Sequence, residues 1–288
     1  MHDNTPKLPD NIDAQVRAAL AEDLAGDIAN GDLTAALVPA DAAGSASLVC
    51  REAAVICGQP WVNAAFAAMD GGIKVEWLVT EGDKVEPDTV IARFSGPARA
   101  LLTGERTALN FLQTLSGTAT ISRHYADIVA GTSCRILDTR KTIPGLRLAQ
   151  KYAVAVGGAS NHRIGLFDAI LIKENHIAAA GSIAAAVKQG RERSPNVVLE
   201  VEVESLDELA AALAAGADVV MLDNFDLDTT RAAVQQRNAQ NSATRLEASG
   251  NMDEKGLREV AEAGVDFVSI GALTKHVRAV DLSFRFTL

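Results

Sequence analysis

From the run that ends at Asp138 onward, the chain repeats one rhythm: a short apolar run closing on a polar residue, an Ala-rich stretch, then Gly. The runs occupy 135–138, 169–173, 197–204, 218–223, 246–249 and 267–271. Apolar runs this short, separated by helix-forming stretches, predict βα units and therefore six parallel strands. Two of the runs follow nearly the same phrase, AAGADVVML and AEAGVDFVSI. In both, Gly216 and Gly264 stand where a helix ends in the left-handed conformation that Gly tolerates. Such a series suits an α/β barrel or a doubly wound sheet, and either one carries its active groups at the carboxyl ends of strands. Polar residues close five of the runs (Asp138, Lys173, Glu202, Asp223 and Ser249), which favours a barrel with one mouth.

The first half has a different pattern. Ile12, Val16, Leu20 and Leu24 recur every fourth residue and predict a helix over 12–23. Strand patterns follow at 46–50, 54–57, 73–78 and 90–95, so this half reads as a separate α+β domain. A helix free of Pro from about Arg99 to Thr120 leads into the barrel. The tail, 283–286, alternates like a strand that returns to the first domain.

Composition narrows the function classes. Aromatic residues make up only 4% of the 288-residue chain, so the core is expected to consist of Ala, Val, Leu and Ile. A net charge of -10 argues against nucleic acid, which needs an excess of Lys and Arg along the contact face. Cys50, Cys57 and Cys134 show no pairwise spacing for a thiolate zinc site, and buried thiols are expected. Residues 1–30 contain acids throughout and no long apolar run, so neither a secretory nor a membrane-spanning segment is expected there, and the expected location is cytoplasmic.

Against this acidic background, six cations (Arg140, Lys141, Arg147, Lys151, Arg163, Lys173) stand between Asp138 and His176 with only three acids. Clustered cations repel one another and lose hydration together, so an anionic ligand is the natural reason for them. Arg140, Lys141 and Lys173 sit at strand ends; Arg147 and Lys151 read equally well as solvated helix residues. GGASNHRIGLFD adds Gly157, Gly158 and Gly165, where backbone can approach a ligand, and the ring of His162. His176 reads equally as functional or as a structural histidine. Glu200, Glu202 and Glu204 share one face of a strand by period two, and Asp223 ends the next strand. Carboxylates in a covered parallel strand need cations or a metal as partners, and an all-oxygen set suits magnesium. Ser249-Gly250 and Gly271-Ala272, at the last two strand ends, occupy the usual phosphate position of barrels.

These residues in this order resemble the quinolinate phosphoribosyltransferase family. The likeness runs over nearly the whole chain. Its most specific stretches are EDLAGDIANGDLT, GERTALNFLQTLSGTAT, LDTRKTIPGLRLAQKYAVAVGGASNHRIGLFDAILIKENH, EVEVE, MLDN and EASGN. The resemblance implies an N-terminal α/β sandwich over 1–116, joined by the tail 275–288, and an incomplete α/β barrel over 117–274. It implies transfer of phosphoribosyl from phosphoribosyl pyrophosphate to quinolinate with loss of carbon dioxide, giving nicotinate mononucleotide on the de novo route to NAD. It also implies a homodimer in which Arg106 reaches the neighbouring copy's site. By the same resemblance, Arg140, Lys141, His162, Arg163 and Lys173 form the basic pocket, with Thr139 beside it. Glu202 and Asp223 are the acids near the ribose and magnesium, held directly or through water. Ser249, Gly250, Asn251, Ile270, Gly271 and Ala272 surround the 5′-phosphate. Lys141, Glu202 and Asp223 are the expected catalytic groups. Asn251 stands where the family commonly has Gly.

Three rivals follow from the same residues. One is a related transferase acting on nicotinate or another ring. Another is a carrier module, since VTEGDKVEPDTVIARFSG resembles a lipoyl or biotinyl hairpin, although no Lys sits where such groups attach. The third is an inactive barrel used only for binding, which the strand-end charges argue against.

Overall fold

The computed structural model describes residues 5–28, 30–240, 242–250 and 252–288. In chain order, the first half contains α1 (Ile12–Asp23), β1 (Ala43–Cys50), β2 (Ala54–Val55), α2 (Gln59–Met69), β3 (Lys74–Trp77), β4 (Lys84–Val85), β5 (Thr89–Pro97) and α3 (Ala98–Ile128). The second contains β6 (Arg135–Leu137), α4 (Arg147–Val156), β7 (Ala169–Ile172), α5 (Glu174–Ala180), α6 (Ile183–Arg193), β8 (Val198–Val203), α7 (Leu206–Ala214) and β9 (Val219–Asp223). It ends with α8 (Leu227–Ala239), β10 (Arg245–Ser249), α9 (Glu254–Ala263), β11 (Phe267–Ser269), α10 (Ala272–Lys275) and β12 (Leu282–Thr287).

Two compact units emerge. One comprises 5–123, 143–158 and 276–288, and the other 124–142 and 159–275. Within the first, β12-β1-β5-β3 form an antiparallel sheet, and β2 pairs with β4. The tail is therefore a strand of this unit, as its alternation predicts: Ala46 lies opposite Phe286 and Leu48 opposite Phe284. Phe66, Phe94 and Phe284 meet at centroid distances of 5.1–6.5 Å, within the range of favourable ring pairs. Helix α2 and the short strand β4 are absent from the sequence reading, because a two-residue strand has no period to detect. Helix α3 continues to Ile128, eight residues past its expected end, since neither Gly nor Pro occurs between Thr120 and Gly131.

The segment 143–158 reads from sequence as part of the barrel, yet it clusters with the first unit. The reason is apolar burial. Tyr152 of α4 packs on Trp61 at 5.6 Å, and Ala149, Ala153 and Val156 join the same core. Lys151 is almost fully buried there, so solvation does not describe it. All three cysteines are buried and unbridged, as expected, and burial pushes the Cys57 thiol well up.

In the other unit all six anticipated strands form one parallel sheet, ordered β6-β11-β10-β9-β8-β7. Among the described residues β6 and β7 do not pair, so the barrel is incomplete. Leu199, Val201, Val203, Val220, Leu222, Leu246 and Ala248 alternate on one side of the strands and are buried. Four of the helices between strands start on a side-chain cap: Ser182, Ser205, Asp226 and Asp253 accept from backbone N–H groups of the first turn. Gly216 and Gly264 follow their helices at φ 76° and 99°, the left-handed ends expected from sequence. No helix among the described residues is long and apolar enough to cross a membrane.

Candidate active site

The opposite side of the parallel strands carries the chemistry. Register sets Leu171 beside Glu200, Glu202 beside Met221, Met221 beside Glu247, and Ser249 beside Asp223 and Ser269. Neighbours in a parallel ladder share a face, so Lys173, Glu200, Glu202, Asp223, Glu247, Ser249 and Ser269 all stand on one side. Along β8 the carboxylates are graded in depth. Glu200 is fully buried, Glu202 is half-buried, and Glu204 is exposed, its backbone N–H donating to Glu208.

At the carboxyl ends Lys173 pairs with Glu202. Asp223 accepts from the Asn224 amide at 3.0 Å, and the Asn224 N–H donates to the Ser249 carbonyl at 2.8 Å. Gly250 follows with φ 155°, and a Cβ there would lie 3.1 Å from Asn224 Oδ1. Across the sheet, the Thr139 hydroxyl accepts from the Lys141 N–H at 3.0 Å, and Thr274 donates to the Lys141 carbonyl at 2.8 Å. The Lys141 stem runs so close to Gly271 that a Cβ there would meet its Cδ at 3.0 Å. Ile270 donates its N–H to the Leu137 carbonyl, tying this loop to the end of β6, and Ala272 opens α10.

Arg163 donates weakly to the Ala169 carbonyl at 3.4 Å. Burial and the neighbouring Arg140 charge both lower its pKa, while Glu200 opposes them. Two guanidiniums held near each other attract an anion. His176 is a structural histidine: its Nδ1 accepts from the Lys173 N–H at 3.0 Å and holds the start of α5.

Beneath this mouth His162, expected in the basic pocket, meets two acids that the sequence does not place at the site. His162 Nε2 is 3.0 Å from Glu200 Oε2 and 3.5 Å from Glu247 Oε2, and all three side chains are buried. Burial pushes the Glu200 carboxyl well above the usual glutamate range, and burial with the Glu200 charge does the same for Glu247. Two carboxylates this close and this dry retain a proton between them. A detectable signal existed: Glu247 interrupts a five-residue buried strand, where an acid needs a dedicated partner. The three ligand atoms lie within 4.8 Å of one another, with the ring at ion-pairing distance from both acids.

The structure thus brings Thr139, Arg140, Lys141, His162, Arg163, Lys173, Glu202, Asp223, Ser249, Gly250, Ile270, Gly271 and Ala272 into one compact unit. Asn251 lies outside the described residues. Arg106 belongs to the other unit, on α3, where its exposed side chain lines a cavity of about 580 Å³ with Glu22, Asp23 and Asn110.

Comparison with known proteins agrees across the whole chain. Residues 32–116 match the N-terminal domain of quinolinate phosphoribosyl transferase, and residues 118–285 its C-terminal domain. The chain is 42% identical over 273 residues to a Mycobacterium leprae nicotinate-nucleotide pyrophosphorylase [carboxylating], covering 93% of this chain and 94% of that one. It is likewise 42% identical over 263 residues to a probable enzyme of that name from Synechocystis, covering 91% and 89%. The solved nicotinate-nucleotide pyrophosphorylase from Francisella tularensis superposes with a TM-score of 0.93 at 47% identity, over the full length of both chains. The two domain matches, in the same order as the strand-end residues described above, show that the chain belongs to the quinolinate phosphoribosyl transferase family.

Proposed function

We propose that this protein joins quinolinate to the ribose of phosphoribosyl pyrophosphate, releasing pyrophosphate and carbon dioxide and giving nicotinate mononucleotide. The observation that carries this reading is the gathering of cations and acids at strand ends of one unit: Lys141, Arg140 near Arg163, and Lys173 paired with Glu202, with Asp223 on the same sheet face. Quinolinate brings two carboxylates, and planar guanidiniums bind carboxylates in bidentate fashion. The other substrate brings a phosphate and a pyrophosphate, for which the lysines and the backbone around Ser249, Gly250, Gly271 and Ala272 are suited.

As the bond from C1 to pyrophosphate breaks, the pyridine nitrogen donates its pair to C1 and positive charge passes through the ribose ring. Glu202 and Asp223 stabilise that charge. The quaternised nitrogen then takes up the electron pair left when the adjacent carboxylate departs as carbon dioxide. A proton from Lys141 or from water replaces it at that carbon. Magnesium belongs to the same proposal: Glu202 and Asp223 are partly exposed carboxylates on one sheet face, an oxygen set that fits a hard cation. When bound, it supplies neutralisation of the pyrophosphate leaving group.

The direct test mixes purified protein with magnesium and both substrates and looks for nicotinate mononucleotide. Absence of product at saturation, or faster turnover of nicotinate than quinolinate, rejects the assignment. A homodimer is the matching assembly, with Arg106 completing the neighbouring copy's pocket; its exposure and its place outside the parallel-sheet unit support this. Mixing inactive Arg106→Ala with inactive Glu202→Ala is then expected to restore partial activity, because hybrid dimers contain one intact site. No recovery after demonstrated subunit exchange removes the shared site.

A further inference from the structure

The buried floor under the mouth explains what His162 does, and it is not what a basic pocket suggests. The Arg163 backbone N–H donates to His162 Nδ1 at 2.7 Å. A ring nitrogen that accepts carries no proton, so the neutral ring holds its proton on Nε2. That nitrogen faces Glu200 and Glu247. Nδ1 is thus committed within the protein, and Nε2 lies 3.0 Å and 3.5 Å from the two buried acids.

The loop around the ring is anchored as well. The His162 backbone N–H donates to Asp138 Oδ1 at 2.8 Å, and Asn161 holds the other oxygen of Asp138 at 2.8 Å, which fixes the loop to the end of β6. Glu247 accepts from Ser269 of β11. Register puts Glu200 beside Val219 and Glu247 beside Met221, so the two acids reach inward from the strands flanking β9. Side chains of alternate strands meet in one layer of a barrel interior in this manner. The Glu200 charge also acts on the Arg163 guanidinium. Both carboxylates therefore bear on Arg163 through the ring, and Glu200 also on its head, through space.

We propose that Glu200 and Glu247 are positioning residues for the dicarboxylate substrate: they hold the His162 ring, and the ring sets the direction in which Arg163 is presented. This rests on the family reading above. Calorimetric affinities for quinolinate and for phosphoribosyl pyrophosphate, measured separately on the full-length protein, test it without turnover. Glu247→Leu is expected to weaken quinolinate about tenfold, the cost of one lost buried polar neighbour of the ring, with phosphoribosyl pyrophosphate changed less than about twofold. Glu247→Gln, which keeps a polar oxygen beside Nε2, is expected to recover most of the loss. In a His162→Asn background Glu247→Leu is expected to add nothing further, because its route runs through the ring.

Equal weakening of both ligands marks general loosening and overturns the proposal, as does unchanged quinolinate affinity. Should Glu247→Leu fail to fold, Ser269→Ala takes its place. It removes a hydroxyl from the Glu247 carboxylate and is expected to weaken quinolinate alone by about threefold; no selective loss is a refutation. Wild-type protein that forms product while Glu247→Leu binds normally rejects only this role, whereas wild-type protein without activity rejects the family reading beneath it.

Discussion

Arg163→Ala is expected to lower kcat/KM for quinolinate by roughly a hundredfold or more, with a Tm close to that of the wild type. A charge-assisted hydrogen bond contributes roughly 1.5–3 kcal/mol, and a bidentate guanidinium–carboxylate pair makes two of them. At about 1.4 kcal/mol per factor of ten, even the lower figure exceeds a hundredfold. The fold has little at stake, since the guanidinium's contact with the Ala169 carbonyl is long, at 3.4 Å. Removing a cation from beside Arg140 also relieves repulsion. Arg163→Lys keeps the charge without the fork and is expected to fall between the two. Steady-state kinetics with a thermal melt checks all of this. Kinetics within about threefold of wild type would falsify the assigned contact.

Gly117→Ala is expected to destabilise the first unit by about 3 kcal/mol, although Gly→Ala inside a helix ordinarily stabilises by about 1 kcal/mol. The sign reverses because of what lies against the helix. A Cβ at Gly117 would sit 2.0 Å from the Arg278 carbonyl oxygen and 3.0 Å from its carbon, and these are backbone atoms that cannot rotate away. The segment leading to β12 is held on α3 by the Val280 N–H donating to the Gln113 carbonyl at 3.0 Å, so relief requires moving a hydrogen-bonded chain. A fall in Tm of roughly 6–12 °C follows for a chain of this size. Gly190→Ala is the control. Its Cβ would meet the Leu199 Cδ1 at 2.7 Å, the end of a side chain that can turn, and a far smaller change is expected. A Gly117→Ala melt at or above the wild-type temperature would show that the tail yields.

Much of the parallel unit was legible because its signals are local. Apolar runs of strand length, Ala-rich helices and a Gly after the helix each depend on a few adjacent residues, and the six strands form where these predict. The cations at strand ends were legible for the same reason, since a positive cluster in an acidic chain stands out in a linear count. The floor was not. Glu200 read as one of three equal carboxylates and Glu247 as part of a strand, because period two tells which face a residue takes but not how deep on that face it lies. Likewise, nothing in one dimension shows that the Arg163 N–H occupies the Nδ1 of His162.

The amino-acid order alone determined the βα rhythm, the helix ends at Gly216 and Gly264, the strand-like tail and the membership of the chain in its family. Tertiary structure decided the rest: β12 beside β1, the segment 143–158 packed through Tyr152 onto Trp61, and His162 turned toward two buried acids. The division has a physical cause. Local structure follows from backbone sterics and the hydrophobic period over a few residues, whereas the meeting of Glu200 with Glu247 depends on the register and curvature of three strands, which no short stretch of chain encodes.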